Sequence, residues 1–231
     1  MSRSKLILSA ALFGFFLLLL YQFGMFVMVL WLNFKNPSSS AFMDSAKASA
    51  ANGANISYQW IPYDQISNHL KSAVITAEDA KFMSHGGVEW EAIKSAWEYN
   101  RQQASSGTTK RRGGSTITQQ LAKNLFLSEK RSYLRKLQEL VLAYMIELVM
   151  SKKRILELYL NIAQWGETTF GAQAAARHYF KTNAGQLSAR QAANLAAMLP
   201  NPSFYDKNRS TRYLNSRTAT IQQRMRQVTI P

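Results

Sequence analysis

Three kinds of side chain in this 231-residue sequence have types and spacing suited to chemistry: scarce carboxylates, a hydroxyl- and amide-rich run behind two glycines, and a dense set of cations. Only 13 acids are present, so each can be weighed. Glu78 stands in "SAVITAEDAKFMSHGG", which reads as a helical segment ended by its glycine pair. At 100° per residue, Glu78, Phe82 and His85 share a side with Val74 and Ile75. A carboxylate among aliphatic and aromatic groups is partly desolvated, which lifts its pKa toward the range of a general base. On pattern alone the plainer reading ranks first: a surface helix residue paired with Lys71 or Lys81. Asp79 points about 100° away and suits capping or orienting a neighbour.

Glu139 lies in "RSYLRKLQELVLAYMIELVM", four residues after Arg135 and eight after Arg131. If the helix begins by Arg131, these three line one face, in the ordinary case as a ladder worth a few tenths of a kcal/mol per pair. Leu134, Leu137, Val141, Met145 and Leu148 share another face, and the helix turns apolar almost all round after Glu139. Deep burial is the expectation, with two arginines and a glutamate forming a charged site at its mouth. Glu147, and Glu157 paired with Lys153, read as structural. The stripe Trp90, Ile93, Trp97 reads as core, with membrane contact as the alternative.

The run "GGSTITQQLAKNLF", residues 113 to 126, offers backbone N–H groups, hydroxyls, amides and one lysine to a ligand with many oxygens. It sits in the most basic part of the chain. Residues 101 to 154 hold 12 Lys or Arg against Glu129, Glu139 and Glu147, and so carry +9 of the net +15. Such concentration points to an anionic partner: nucleic acid, anionic lipid headgroups or a phosphorylated substrate. No nucleic-acid recognition motif is present. The absence of cysteine removes disulfides and thiolate metal sites, and His69, His85 and His178 are too scattered for a zinc motif.

These residues must be positioned by the elements around them. Residues 6 to 34 contain no charge until the flanking Lys35 and, as a helix, would run about 44 Å, longer than the roughly 30 Å hydrocarbon core. They read as a transmembrane anchor after a short tail at 1 to 5. A signal peptide would have about half that apolar length and a small-residue cleavage site. Arg3 and Lys5 on one side nearly balance Lys35 and Lys47 on the other, so charge alone does not orient the span. Residues 35 to 56 are small and polar and read as a linker. From residue 57 to 231 helical periodicity dominates without β-alternation, which predicts one compact, mainly α domain.

Taken together, "AEDAKFMSHGGVEW", "GGSTITQQLAKNLF", "RSYLRKLQE", "SKKRILELYLN" and "GAQAAARHYF" resemble, in order and spacing, the five blocks of the peptidoglycan glycosyltransferases, glycosyltransferase family 51. The resemblance spans roughly residues 57 to 205. It implies a lysozyme-like helical fold with a small lobe facing the bilayer. With no room for a transpeptidase domain before Pro231, the chain looks like the family's monofunctional branch. The implied substrate is lipid II, a disaccharide-pentapeptide on undecaprenyl pyrophosphate, polymerised into β-1,4-linked glycan.

By the same resemblance, Glu78 is the base that takes the acceptor's 4-hydroxyl proton. Glu139 is a second essential glutamate, orienting a metal or a sugar. Asp79, Phe82 and His85 belong to the substrate site of the first block. Ser115, Thr116, Gln119, Gln120 and Lys123 hold the donor's sugar-pyrophosphate. Arg131, Arg135 and Lys136, with Lys123, stabilise the departing pyrophosphate beside a divalent metal, Mg2+ or Mn2+. The expected partners are lipid II, the growing strand, the membrane, and cell-division or elongation proteins, with no nucleic acid. The expected location is the bacterial inner membrane, with a single span and a periplasmic catalytic domain. Gln191 and Lys153 stand where relatives often have acids, and both are expected to affect packing or surface pairing only. Two rivals remain: a lytic transglycosylase, and a non-catalytic anchored scaffold.

Overall fold

The computed structural model describes residues 2–49, 55–108, 112–130 and 132–231. The apolar N-terminal run forms one helix, α1 (Arg3–Phe34), long and apolar enough to cross a bilayer. Its first two turns of chain after Lys5 are exposed, while Met25, Val29 and Leu32 are buried, a spacing of three and four that makes one helical stripe. The helix is thus exposed and apolar at one end and a packed element at the other.

Residues expected to be a linker fold into α2 (Ala41–Ser49), whose Met43 joins the core and whose Phe42 packs against it. Small polar neighbours dilute these two large apolar residues in the sequence. Placed at the start of a helix, they suffice to dock it on α5 (Ile117–Phe126).

The expected mainly α domain follows: α3 (Asn68–Glu78), α4 (Trp90–Ser105), α5, α6 (Tyr133–Val149), α7 (Lys152–Ile162), α8 (Ala172–Phe180), α9 (Ala189–Met198), α10 (Pro202–Lys207) and α11 (Arg212–Arg224). Serine or threonine N-caps α3, α5, α6, α7, α9 and α11 through its side-chain oxygen, each worth about 1 kcal/mol. Gln191 completes the capping box of α9 with Ser188, the packing role expected of it. The one sheet among the described residues is a parallel pair, β1 (Ser57–Tyr58) with β2 (Thr169–Phe170), too short to show alternation.

The core is built on close helix contacts. Ala192, Ala193, Ala196 and Ala197 are all buried on α9 and let α3 and α11 approach it from two sides. On the other side α5 packs on α6 and α7 through Ile117, Leu121, Ile146 and Leu156.

Two apolar stripes are not buried as expected. On α6 the inward residues are Glu139, Leu142, Ala143 and Ile146, leaving Leu134 81% and Leu148 77% exposed. On α4, Trp90 and Trp97 are 58% and 61% exposed, and Trp90 Nε1 donates to the Tyr144 hydroxyl on α6 at 3.2 Å. The core reading of the tryptophans is therefore overturned. Glu157 also differs from expectation: it pairs with Arg154 at 2.6 Å and accepts from Tyr63 N, while Lys153 pairs with Asp64.

The anchor is fixed to this domain by polar bonds. Gln22 and Gln138 exchange two amide hydrogen bonds, at 2.7 and 3.1 Å, between α1 and α6. Arg154 donates to the carbonyls of Leu32 and Lys35 at the end of α1, and the Tyr58 hydroxyl donates to Pro37 O. We expect Gln22→Leu to strand the Gln138 amide and destabilise the detergent-solubilised protein by about 1 kcal/mol, with the double change to leucine recovering part of the loss. Thermal unfolding of the four proteins of that cycle checks it; a double-variant loss equal to the sum of the two single losses would mean that the pair contributes no coupling.

Candidate functional site

Helix α3 ends at Glu78, not at the glycine pair, because Asp79 leaves helical geometry (φ −162°, ψ 71°) and turns its carboxylate inward. There it accepts from the backbone N–H of Ile117 at 3.0 Å and meets His85 Nε2 at 2.9 Å. His85 Nδ1 accepts from Gly87 N, which puts the imidazole proton on Nε2, facing Asp79. The buried negative charge sits against the N-terminus of α5, where the helix dipole favours it. Phe82 is fully buried in the turn that follows, with the Lys152 ammonium 4.6 Å from its ring centroid. These residues share a turn rather than the helical face first expected.

The glycines let the segments close. Gly87 has φ +92°, and a Cβ there would lie 2.8 Å from Glu147 Cγ; one on Gly114 would lie 2.8 Å from the Ala92 carbonyl oxygen on α4. Thr116 caps α5, donating to Gly87 O and accepting from Gln119 N, while the Gln119 side chain returns to Thr116 N. Both are buried, so they build the loop and do not line a cleft. Of the residues expected to touch substrate, Asp79, Phe82, His85, Thr116 and Gln119 are supports.

Glu78 is different. Its side chain is 11% exposed, Oε2 accepts from Gln120 Nε2 at 2.7 Å, and Oε1 has no hydrogen-bond partner. Burial pushes its carboxyl above the usual range, opposed by the Gln120 hydrogen bond and by the charges of Arg217 and Lys123. The surface pairing with Lys71 or Lys81 does not occur: Lys71 bonds Asn68, and Lys81 pairs with Glu89 and Glu91. Tyr159, whose hydroxyl burial holds well above its ordinary pKa, donates to Gln120 Oε1 and so fixes which end of that amide meets Glu78.

Beside it opens a cleft of about 430 Å³, lined by Ser115, Gln120, Lys123, Arg135, Lys136 and Glu139, with Phe42, Glu129 and Gln164 completing the wall. Glu139 is buried on α6, and its two oxygens are taken by Arg135 (3.1 Å) and Lys136. The Lys136 ammonium also donates to Ser115 Oγ at 3.0 Å, tying α6 to the glycine-rich loop. Burial lowers the pKa of Lys123, while the charges of Glu139 and Glu78 oppose that shift, so this ammonium is within electrostatic reach of both carboxylates. Arg131 lies outside the described residues. The geometry therefore brings together one desolvated carboxylate with a free oxygen and an adjacent cationic cleft with hydroxyl and amide donors.

A metal held by Glu139 does not fit this donor set. Both its oxygens are already committed to cations, and no group of three or more His, Asp or Glu side chains converges among the described residues.

Sequence reasoning missed Arg217, Tyr159, Phe42 and Gln164. Arg217 reaches Glu78 from α11, far along the chain, and nothing local marks it. Phe42 was hidden in the supposed linker. Tyr159 sits within "SKKRILELYLN", where its buried helical face was the only available signal.

Known proteins bear directly on this arrangement. A family model described as Transglycosylase matches residues 45–226. The chain is 63% identical over 216 residues to the biosynthetic peptidoglycan transglycosylase of Bordetella pertussis, covering 92% of this chain and 89% of that one. It is 50% identical over 218 residues to the protein of the same name from Methylobacillus flagellatus, covering 93% of each. With that of Herminiimonas arsenicoxydans it shares 48% over 230 residues, 98% of each chain. The carboxylate, the cationic cleft and these similarities agree: the chain belongs to the transglycosylase family and is a peptidoglycan glycosyltransferase of cell wall synthesis.

Proposed function

We propose that this enzyme polymerises lipid II by direct displacement at the donor's anomeric carbon, inverting an α-linked sugar pyrophosphate to a β-1,4 bond. Glu78 takes the proton of the acceptor's 4-hydroxyl on Oε1, and the hydroxyl oxygen attacks as the bond to pyrophosphate breaks. The observation that carries this reading is the pairing of the free, desolvated Glu78 oxygen with the cleft of Lys123, Arg135 and Lys136.

The charge requirements are consistent with it. A glycosidase needs a second carboxyl group to protonate a poor leaving group. Pyrophosphate leaves as an anion, so cations can replace that acid. Glu139, locked between Arg135 and Lys136, is suited to holding those cations in place and not to donating a proton. The lytic reading has no use for this cationic set. A divalent cation, Mg2+ or Mn2+, is proposed only as a companion of the pyrophosphate, its ligands being substrate oxygens, and no step here depends on one.

The same reading places α1 across the bacterial inner membrane with the domain on the periplasmic side, where cell-division or elongation proteins would be its neighbours. Support comes from the exposed apolar residues of α4 and of α6, the latter being the helix that α1 packs against. A polyprenyl-linked substrate arrives from the bilayer, and such a surface suits contact with it.

Glu78→Gln keeps the shape and removes the base, so polymer formation should fall by on the order of 100- to 10,000-fold with substrate binding largely kept. Gel separation of products from labelled lipid II reads this, and a fully active variant would sink the mechanism. Loss of a charged hydrogen-bond donor costs roughly 1.5–3 kcal/mol. Lys123→Ala should therefore weaken donor binding by about 10- to 100-fold as well as slow turnover. Unchanged donor affinity in a direct binding assay would remove Lys123 from the pyrophosphate site.

A further inference from the structure

The C-terminal helix carries no part of the recognised blocks, yet it reaches the candidate base. Arg217 projects from α11 so that Nη2 donates to the Ala77 carbonyl at 3.3 Å and lies 3.7 Å from Glu78 Oε1. The first contact satisfies a carbonyl in the last turn of α3, where a cation is favoured by the helix dipole. The second is too long for a hydrogen bond. It is an ion pair that stabilises the charge while leaving the Oε1 lone pairs open. Arg217 is 27% exposed, and its Nε, like Glu78 Oε1, is buried without a hydrogen-bond partner.

We propose that Arg217 is a positioning residue for Glu78: it holds the carboxylate in its charged form and keeps Oε1 aimed at the acceptor hydroxyl. The inference rests on the polymerase reading and assigns a new residue to it. The separation explains why the arrangement differs from an ordinary salt bridge. A guanidinium bonded directly to Oε1 would occupy the atom that must take the proton, whereas one at 3.7 Å acts through charge alone.

The other groups around Glu78 do not duplicate this role. Its neighbour Asp79 is negative and raises the Glu78 pKa, and Tyr159 on α7 is neutral and bonded to Gln120. Lys123 on α5 is positive but belongs to the cleft and feels Glu139 more strongly than Glu78. Helix α9 packs on α3 with alanines, and its one charge, Arg190, lines a separate polar groove. Removing Arg217 removes the larger of the two charges that lower the Glu78 pKa, so that pKa should rise.

The test is the pH dependence of kcat/KM for lipid II polymerisation by the full-length, detergent-solubilised protein. Arg217→Gln and Arg217→Met should move the acid limb to higher pH, with activity recovering as the pH is raised. Arg217→Lys should keep the limb near that of the parent. A loss that is uniform across pH, or a limb that does not move in either neutral variant, overturns the proposal and leaves Arg217 a packing residue. The methionine variant keeps an apolar stem at the same position on α11, and a thermal melt of each protein separates lost folding from lost positioning. If the parent makes no polymer, or Glu78→Gln remains active, the polymerase reading itself fails. An unmoved limb with both of those controls intact sinks only the role of Arg217.

Discussion

The buried carboxylate of Asp79 is the constraint on which the site depends. It ends α3 at Glu78, receives the first free amide of α5, and orients His85, which in turn accepts from Gly87. One side chain thus joins two segments almost forty residues apart in sequence and fixes where the base emerges. A charge taken this far from water costs several kcal/mol unless it is paired and hydrogen-bonded, and here two donors, the Ile117 amide and His85 Nε2, meet its two oxygens. The helix could not continue past Glu78 without abandoning them.

Around that junction the two glutamates have opposite environments. Glu78 keeps one oxygen unpaired at the end of a helix, whereas Glu139 has both oxygens held by cations one turn away on its own helix. Similar side chains, both nearly buried, therefore suit different parts in the proposed reaction: one has an oxygen without a partner to accept a proton, the other holds two cations in place. Lys123 stands electrostatically between them, which couples the binding of an anion in the cleft to the charge state of the base.

Much of this was legible in the sequence, and the misses have physical causes. Glu78, Gln120, Lys123, Arg135, Lys136 and Glu139 entered as site residues through the family resemblance, for on pattern alone Glu78 read first as a surface ion-pair residue. Thr116 and Gln119 are assigned to substrate by the resemblance, and the structure shows them capping α5, since hydroxyls and amides serve both uses equally well. The end of α3 was misplaced because a helix pattern cannot show that Asp79 has a better partner in Ile117 N. Leu134, Leu148, Trp90 and Trp97 were expected inside because periodicity marks an apolar face without saying whether protein or lipid covers it. Arg217 was invisible for the plainest reason: its contact with Glu78 spans most of the domain's length in sequence.

The clasp of Arg154 on the last carbonyls of α1, with the glutamine pair higher on the same helix, makes anchor and domain one rigid lever. A tethered polymerase on a loose linker can swivel and let its product untwist beneath it. With α1 across a bilayer as proposed, bonds of this kind between anchor and domain would pass any turn of a strand relative to the cleft to the whole molecule, spinning in the plane of the bilayer, or to the strand itself. Membrane viscosity would then act as a drag on rotation during elongation, and a neighbour that held the anchor would hold the angle at which new glycan is laid down.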